Sequence, residues 1–190
     1  TVTSSFSTFP PLRIGILGAA RIAPGAIIAP ARQISGATVT AIAARDHEKA
    51  RAFAQRYKIA KVHTSYAALI ADPEIDAIYN PLPNSLHAEW TMRALEAGKH
   101  VLCEKPFASN EQEAIEMASV AERTGHVLME AFHYRYHPLI TRVLAILQSG
   151  EIGTVRRVET TMCVPNWRRW DIRWRYDLAG GALMDVGCYT

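Results

Sequence analysis

Cysteine is scarce in this 190-residue sequence, and what there is does not pair. Cys103, Cys163 and Cys188 are odd in number and include no C-x-x-C spacing. That excludes a disulfide framework and reads as reduced thiols in a cytoplasmic protein. No apolar run approaches the ~20 residues of a membrane-spanning helix. A large excess of charge of one sign is missing as well: 21 Lys and Arg against 18 Asp and Glu leave a net +3, too mild to argue for nucleic acid. There is no internal repeat and no low-complexity segment. The opening TVTSSFSTFPP lacks the basic start and apolar middle of a secretion signal, so residues 1–11 are expected to form a loose tail.

What is present is a strict alternation of short apolar runs with helical patterns. LRIGIL, ATVTAIAA, IDAIYN, HVLCE and HVLMEAF read as strands. Between them, RIAPGAIIAPARQI, DHEKARAFAQRY, SYAALIA, SLHAEWTMRALEAG and NEQEAIEMASVAERTG read as helices. Ser65 and Asn110 are expected N-caps, Glu113 completes a capping box, and Gly98 and Gly125 close their helices. Strands joined by helical crossovers predict an α/β fold: a doubly wound parallel sheet, Rossmann-type, over residues 12–150 and ending in the helix PLITRVLAILQSG. Beyond it the pattern changes. TVRRVETTMCV predicts a longer alternating strand, PNWRRWDIRWRYDLAGG is irregular, and ALMDVGCYT reads as the first turns of a helix that puts Asp185 and Tyr189 on one face.

The first strand runs into GILGAARIA, which fits the G-x-G-x-x-G/A pattern with Gly18, Ala20 and Ala23. Gly18 permits the tight turn, the middle position admits a pyrophosphate, and Ala23 allows close helix–strand packing. Ala20 is the departure, because a methyl group narrows that approach. The second strand ends in AIAARDH. NAD binding usually places an acid at this point, whereas Arg45 suits the 2′-phosphate of NADP, so NADP is expected over NAD.

VLCEKPF puts Lys105 at the carboxyl end of a buried strand, the edge where doubly wound sheets bind ligands. Glu104 stands beside it to orient the amine, and Pro106 stiffens the backbone. His133 and His137 have the spacing of two metal ligands, but Pro138 interrupts a helix there and no acid completes a site. No metal is expected. Trp167, Trp170 and Trp174 interleave with Arg168, Arg169, Arg173 and Arg175, a pattern that a nucleic-acid binder would share, although this cluster is short and the rest of the chain is nearly balanced.

LGAARIA, NPLPNSLHAEW, AGKHVLCEKP, MEAFHYRYHP and GGALMDVGCY, in this order and spacing, resemble the Gfo/Idh/MocA family of nicotinamide-dependent oxidoreductases. PLPNSLH, EAFHYRYHP and DVGCY are most similar to its aldose and dihydrodiol dehydrogenase branch. The resemblance covers nearly everything after residue 12. It implies hydride transfer between the nicotinamide and a carbinol carbon of a sugar, polyol or cyclic diol. It implies Lys105 as the polarising group, Tyr189 as proton acceptor with a pKa lowered by the ammonium, and Asp185 as the residue that orients substrate. Cofactor contacts are implied for Gly18, Ala20, Arg21, Ile22, Arg45, Pro81, Leu82, Asn84, His87, Glu104, Lys105 and Arg135. Asn84 or Ser85 is also a candidate helix cap. Trp167 and Arg168 fall in the family's substrate loop.

The family's longer chains carry a second, mostly antiparallel domain that covers the nicotinamide and often forms a homo-oligomer interface. Residues 151–190 are expected to be its incomplete start, with a poorly anchored closing helix. The alternative reading is a non-catalytic NADP-binding module. Partners beyond the small molecule and further copies, whether nucleic acid or membrane, are not expected.

Overall fold

Six short segments, five of them largely apolar, pair side by side in the computed structural model, which describes residues 10–165 and 170–190. They are β1 (Leu12–Leu17), β2 (Ala37–Ala43), β3 (Lys61–His63), β4 (Ala77–Asn80), β5 (His100–Cys103) and β6 (Leu128–Glu130). All pairings are parallel, and the strand order is 3-2-1-4-5-6. The order reverses between β1 and β4, so the loops leaving those two strands part and open a crevice at the carboxyl edge.

The strand period of two divides the core between the sheet's faces. Ile14, Ile16, Ile42 and Tyr79 point to one face, where they meet Ala54 of helix α2 (His47–Tyr57) and Ile28. Leu17, Ala43, Ile78 and Cys103 point to the other. There they pack on α3 (Tyr66–Ile70), α4 (His87–Glu96) and α5 (Glu111–Thr124) through Leu69, Leu95 and Met117. Each fully buried Ile or Leu contributes about 1.5–3 kcal/mol. At the entry of β1, Arg13 fastens the crossover before β4. Its main-chain N and Nε donate to Asp76 Oδ2 at 2.8 and 2.9 Å, and Nη2 donates to Oδ1 at 2.7 Å.

The helix ends follow the expected chemistry. Ser65 Oγ accepts from Ala68 N and Asn110 Oδ1 from Glu113 N, while Gly125 closes α5 at φ +68°. Glu113 reaches back to Ser109 N at 2.8 Å, one residue before the position a capping box predicts.

Four elements differ from the sequence reading. The first crossover is a π turn, Pro24–Ile28, followed by the single α turn α1 (Ala29–Ala31). Pro30 has no N–H, and its ring would collide with the carbonyl four residues back, which the wider turn relieves. Strand β3 lies in KVH, a three-residue edge too short for periodicity to mark. Residues 154–164 form no strand; a strand exists through a neighbour's hydrogen bonds, and among the described residues none pairs with this one. Finally, α7 (Ala182–Asp185) breaks at Val186, and Gly187–Tyr189 is a separate 3₁₀ turn. Helix α6 (Pro138–Ser149) forms as read, N-capped by His137, whose Nδ1 accepts from Leu139 N.

Candidate active site

The crevice holds a cavity of about 750 Å³. One wall is the β1 loop. Gly18 adopts φ +82°, a conformation open to glycine, and a Cβ there would lie 3.1 Å from Leu82 Cδ2. The loop therefore packs directly on the β4 loop, and Ala20, Arg21 and Ile22 face the cavity opposite Pro81 and Leu82. At the end of β2, Arg45 stands exposed, outside that lining. The neighbouring Asp46 is already engaged: Oδ1 caps α2 by accepting from Lys49 N at 3.1 Å, and Oδ2 pairs with Lys49 Nζ at 3.2 Å. These bonds hold the Asp46 carboxyl below its usual range. Among the described residues no acid pairs with Arg45, so the cation, and not the acid, is available to a ligand.

Lys105 extends from the end of β5 to residues 80 positions away. Its Nζ donates to the main-chain oxygen of Asp185 at 2.7 Å and to Oδ1 at 3.1 Å, with both side chains roughly four-fifths shielded. The ammonium lies 5.3 Å from the ring centroid of Tyr189. That ring is held edge-on by Phe132 and Tyr134 at 5.6 and 5.7 Å. The closing segment, expected to be poorly anchored, is joined to β5 through this part-buried ion pair.

The Tyr189 phenol is shifted in the direction opposite to the one expected. Burial pushes its phenol up to about 12, and Glu104, Cys188 and Asp185 add to the effect. Asp185 neutralises the ammonium that was expected to lower it. Nor does Glu104 orient the Lys105 amine. Its Oε1 accepts from the Tyr79 hydroxyl at 2.7 Å and its Oε2 from Lys105 N at 3.2 Å, so it fixes the main chain instead.

A second cavity of about 710 Å³ lies on the far side of the same residues. Lys105, Asp185, Tyr189, Arg21 and Arg173 border both spaces; Met162, Val164, Pro165 and Trp174 border only the second. The wall between them is closed by a segment that folds back over the β1 and β4 loops. Asn84 caps no helix; its Nδ2 donates to Ala179 O at 2.7 Å. Gly180 makes this fold possible, since a Cβ there would meet the main-chain oxygens of Ile172 and Arg173 at 2.7 Å.

Besides Gly18 and Arg45, two further expected cofactor contacts lie outside the cavity lining. His87 is fully buried, with Nδ1 2.8 Å from Pro106 O and Nε2 2.8 Å from Leu82 O, and it ties the two loops together from beneath. Burial lowers its pKa. Arg135 is exposed outside the lining, where His133 and Tyr136 take its place. Trp167 and Arg168 lie outside the described residues. Among the described residues no cluster of three metal-ligating side chains occurs, and no helix is long and apolar enough to cross a membrane.

The sequence reading missed Tyr79, Glu130 and Asp171. Tyr79 could have been found as a lone phenol at the carboxyl end of an otherwise aliphatic strand. Asp171, seated between arginines, carried no spacing signal.

A switch-point crevice with a glycine turn, an exposed cation at the end of β2 and a lysine at the end of β5 has the architecture of a dinucleotide-binding protein. Residues 12–132 match the NAD-binding Rossmann fold of the oxidoreductase family, and residues 140–190 match the GFO/IDH/MocA C-terminal domain. The chain belongs to the GFO/IDH/MocA family. It is 45% identical to D-xylose 1-dehydrogenase (NADP(+)) 2 of Haloferax volcanii, over 94% of this chain and 55% of that protein. It is 39% identical to trans-1,2-dihydrobenzene-1,2-diol dehydrogenase of Xenopus tropicalis, over 80% of this chain and 46% of the relative. A 3-ketoreductase of Actinomadura kijaniata, crystallised with NADP and TDP-benzene, superposes with a TM-score of 0.88 at 39% identity, over 94% of this chain and 55% of its own. The chain spans about half the length of the curated relatives it matches.

Proposed function

We propose that this protein is an NADP-dependent oxidoreductase that moves hydride between the nicotinamide and a C–O carbon of a sugar, polyol or cyclic diol. The observation that carries this reading is the Lys105–Asp185 pair, set beside Tyr189 on a wall shared by two cavities. One cavity is lined by the dinucleotide loops, so the other is left for substrate. Arg45, unopposed by Asp46, favours NADP. Gly18, Ala20, Arg21, Ile22, Pro81, Leu82 and Asn84 would hold the dinucleotide, which when bound supplies or accepts the hydride.

In the reducing direction the Lys105 ammonium donates a hydrogen bond to the substrate oxygen and stabilises the charge that develops there. Tyr189, kept protonated by its raised pKa, gives that oxygen its proton. Asp185 holds Lys105 in place. Oxidation runs the same steps backwards, with the phenolate receiving the proton. The three free cysteines support a cytoplasmic protein, and the exposed apolar residues Leu139, Val143, Leu144 and Leu147 of α6 support assembly into a homo-oligomer.

The test is turnover of NADPH with keto sugars, and of NADP with a panel of aldoses, inositols and cyclic diols. Reduction or oxidation of at least one class, lost in Lys105→Met, is the expected result. NADP binding without turnover on any of them favours a cofactor-binding module and overturns the enzyme reading.

A further inference from the structure

Asp171 is an acid that the site does not obviously need. Its side chain is 5% exposed, which is rare for a carboxylate without strong partners. It has three. Oδ1 accepts from Arg173 N at 3.1 Å and from Arg173 Nη1 at 3.0 Å, and Oδ2 accepts from Arg21 Nη2 at 3.3 Å. Arg173 in turn donates from Nε to Asp185 Oδ2 at 2.9 Å, on the oxygen that Lys105 does not use. The charges therefore alternate without a gap: Arg21, Asp171, Arg173, Asp185, Lys105. The line begins on the β1 loop and ends on the ammonium.

We propose that Asp171 is a positioning residue which, acting through Arg173, holds the Asp185 carboxylate and the Lys105 ammonium in place beside the cavity. The inference rests on the reading of Lys105 as the group that meets the reacting oxygen. A bland role is available, because Asp171 also caps the turn Ile172–Trp174. Capping alone explains one oxygen and leaves the burial and the two guanidinium contacts without a reason. Taking a carboxylate out of water is costly unless it is paired, and here the pairing extends straight to the lysine. Burial raises the Asp171 carboxyl, but the Arg173 N–H and guanidinium together with Arg21 outweigh it and hold it below its usual range. For Arg173, desolvation opposes the charge, and the two carboxylates overcome it. A guanidinium is fixed at two ends only if both carboxylates stay charged. Without Asp171 it is free to pivot about Asp185 and loosen that acid's hold on Lys105.

Asp171→Asn separates the two roles, since Asn caps a turn as well as Asp but carries no charge. Lys105 is read directly, by its rate of acylation with acetic anhydride at fixed pH, followed by mass spectrometry. In Asp171→Asn the rate rises by about three- to tenfold relative to exposed Lys49 and Lys58, the size expected when one charge-assisted contact is weakened. Buried Lys99, whose Nζ donates to Asp72 O and Ile75 O, serves as the unfolding control and stays unchanged. Turnover falls about tenfold or more in kcat with little change in the KM for substrate, and Asp171→Glu recovers part of it. An unchanged Lys105 rate and kcat, with only a lower melting temperature, overturns the proposal. A Lys105 rate that rises in step with Lys99 overturns it too. If the parent protein shows no turnover while Asp171→Asn still releases Lys105 alone, the positioning stands and the enzyme reading is what fails.

Discussion

Lys105 Nζ and Asp185 are joined twice, through the carboxylate at 3.1 Å and through the main-chain oxygen at 2.7 Å. The second bond adds a main-chain anchor to the carboxylate's hold on the ammonium. One of the three ammonium hydrogens remains to point into the cavity, and this is what a group that polarises a substrate oxygen requires. The contact joins the end of β5 to α7, so the same pair that supplies the chemistry also anchors the closing segment.

Replacing Lys105 by Met removes the charge and keeps the stem. We expect kcat/KM to fall by about 10³-fold or more, the scale of losing a preorganised electrostatic group. NADPH affinity, read by fluorescence titration, should stay within about threefold, because the β1 and β4 loops that would hold most of the dinucleotide are unchanged.

Tyr189 sets the pH dependence. Its phenol is pushed up to about 12, so the protonated form that donates persists through neutrality. Ketone reduction should therefore hold its rate past pH 9, where an unshifted phenol of pKa ~10 would begin to ionise. It declines only as the pH approaches the raised value. Tyr189→Phe should cost about 10²- to 10⁴-fold and abolish that alkaline limb. Steady-state rates from pH 6 to 10.5 check the plateau and the loss in the variant, and rates taken on towards pH 12 check the limb.

Arg45→Asp places an acid where the ribose hydroxyls of NAD are expected and removes the cation for the 2′-phosphate. The ratio of NADP to NAD affinity should fall about 10- to 100-fold, or about 1.4–2.8 kcal/mol. Competitive titration with the two dinucleotides measures it.

Asp76 tests the scaffold apart from the site. The Arg13 side chain holds its carboxyl at about 2, against an ordinary 3.8. A depressed pKa stabilises the fold above pH 3.8, and that contribution is lost as the pH falls towards 2. The group is one-third exposed, so solvent screening reduces the gain to about 1 kcal/mol. Asp76→Asn should lose about that much at pH 7, by urea denaturation, and show a shallower loss of stability between pH 4 and 2.

The doubly wound order was legible because its strands are near-continuous apolar runs and its helices carry caps such as Ser65 and Asn110, both local signals. Gly18, Arg45 and Lys105 were legible for a related reason: each sits at the end of a strand, and the fold brings strand ends together. What escaped depends on distant partners. Nothing near Asp185 in sequence announces Lys105, and nothing near Asn84 announces Ala179. His87 looked like a cofactor contact from its motif, yet only the packed structure shows both ring nitrogens used on Pro106 and Leu82. Residues 154–164 read as a strand by alternation, which is a property of the segment, whereas a ladder is a property of two.

The central claim is that the crevice between the β1 and β4 loops is an NADP site. NADPH fluorescence titration, with NADH alongside and Arg45→Asp as the variant, tests it most directly. The account predicts saturable binding, at least about tenfold tighter for NADPH than for NADH, with that preference lost in Arg45→Asp. Absence of saturable binding by either dinucleotide would contradict it.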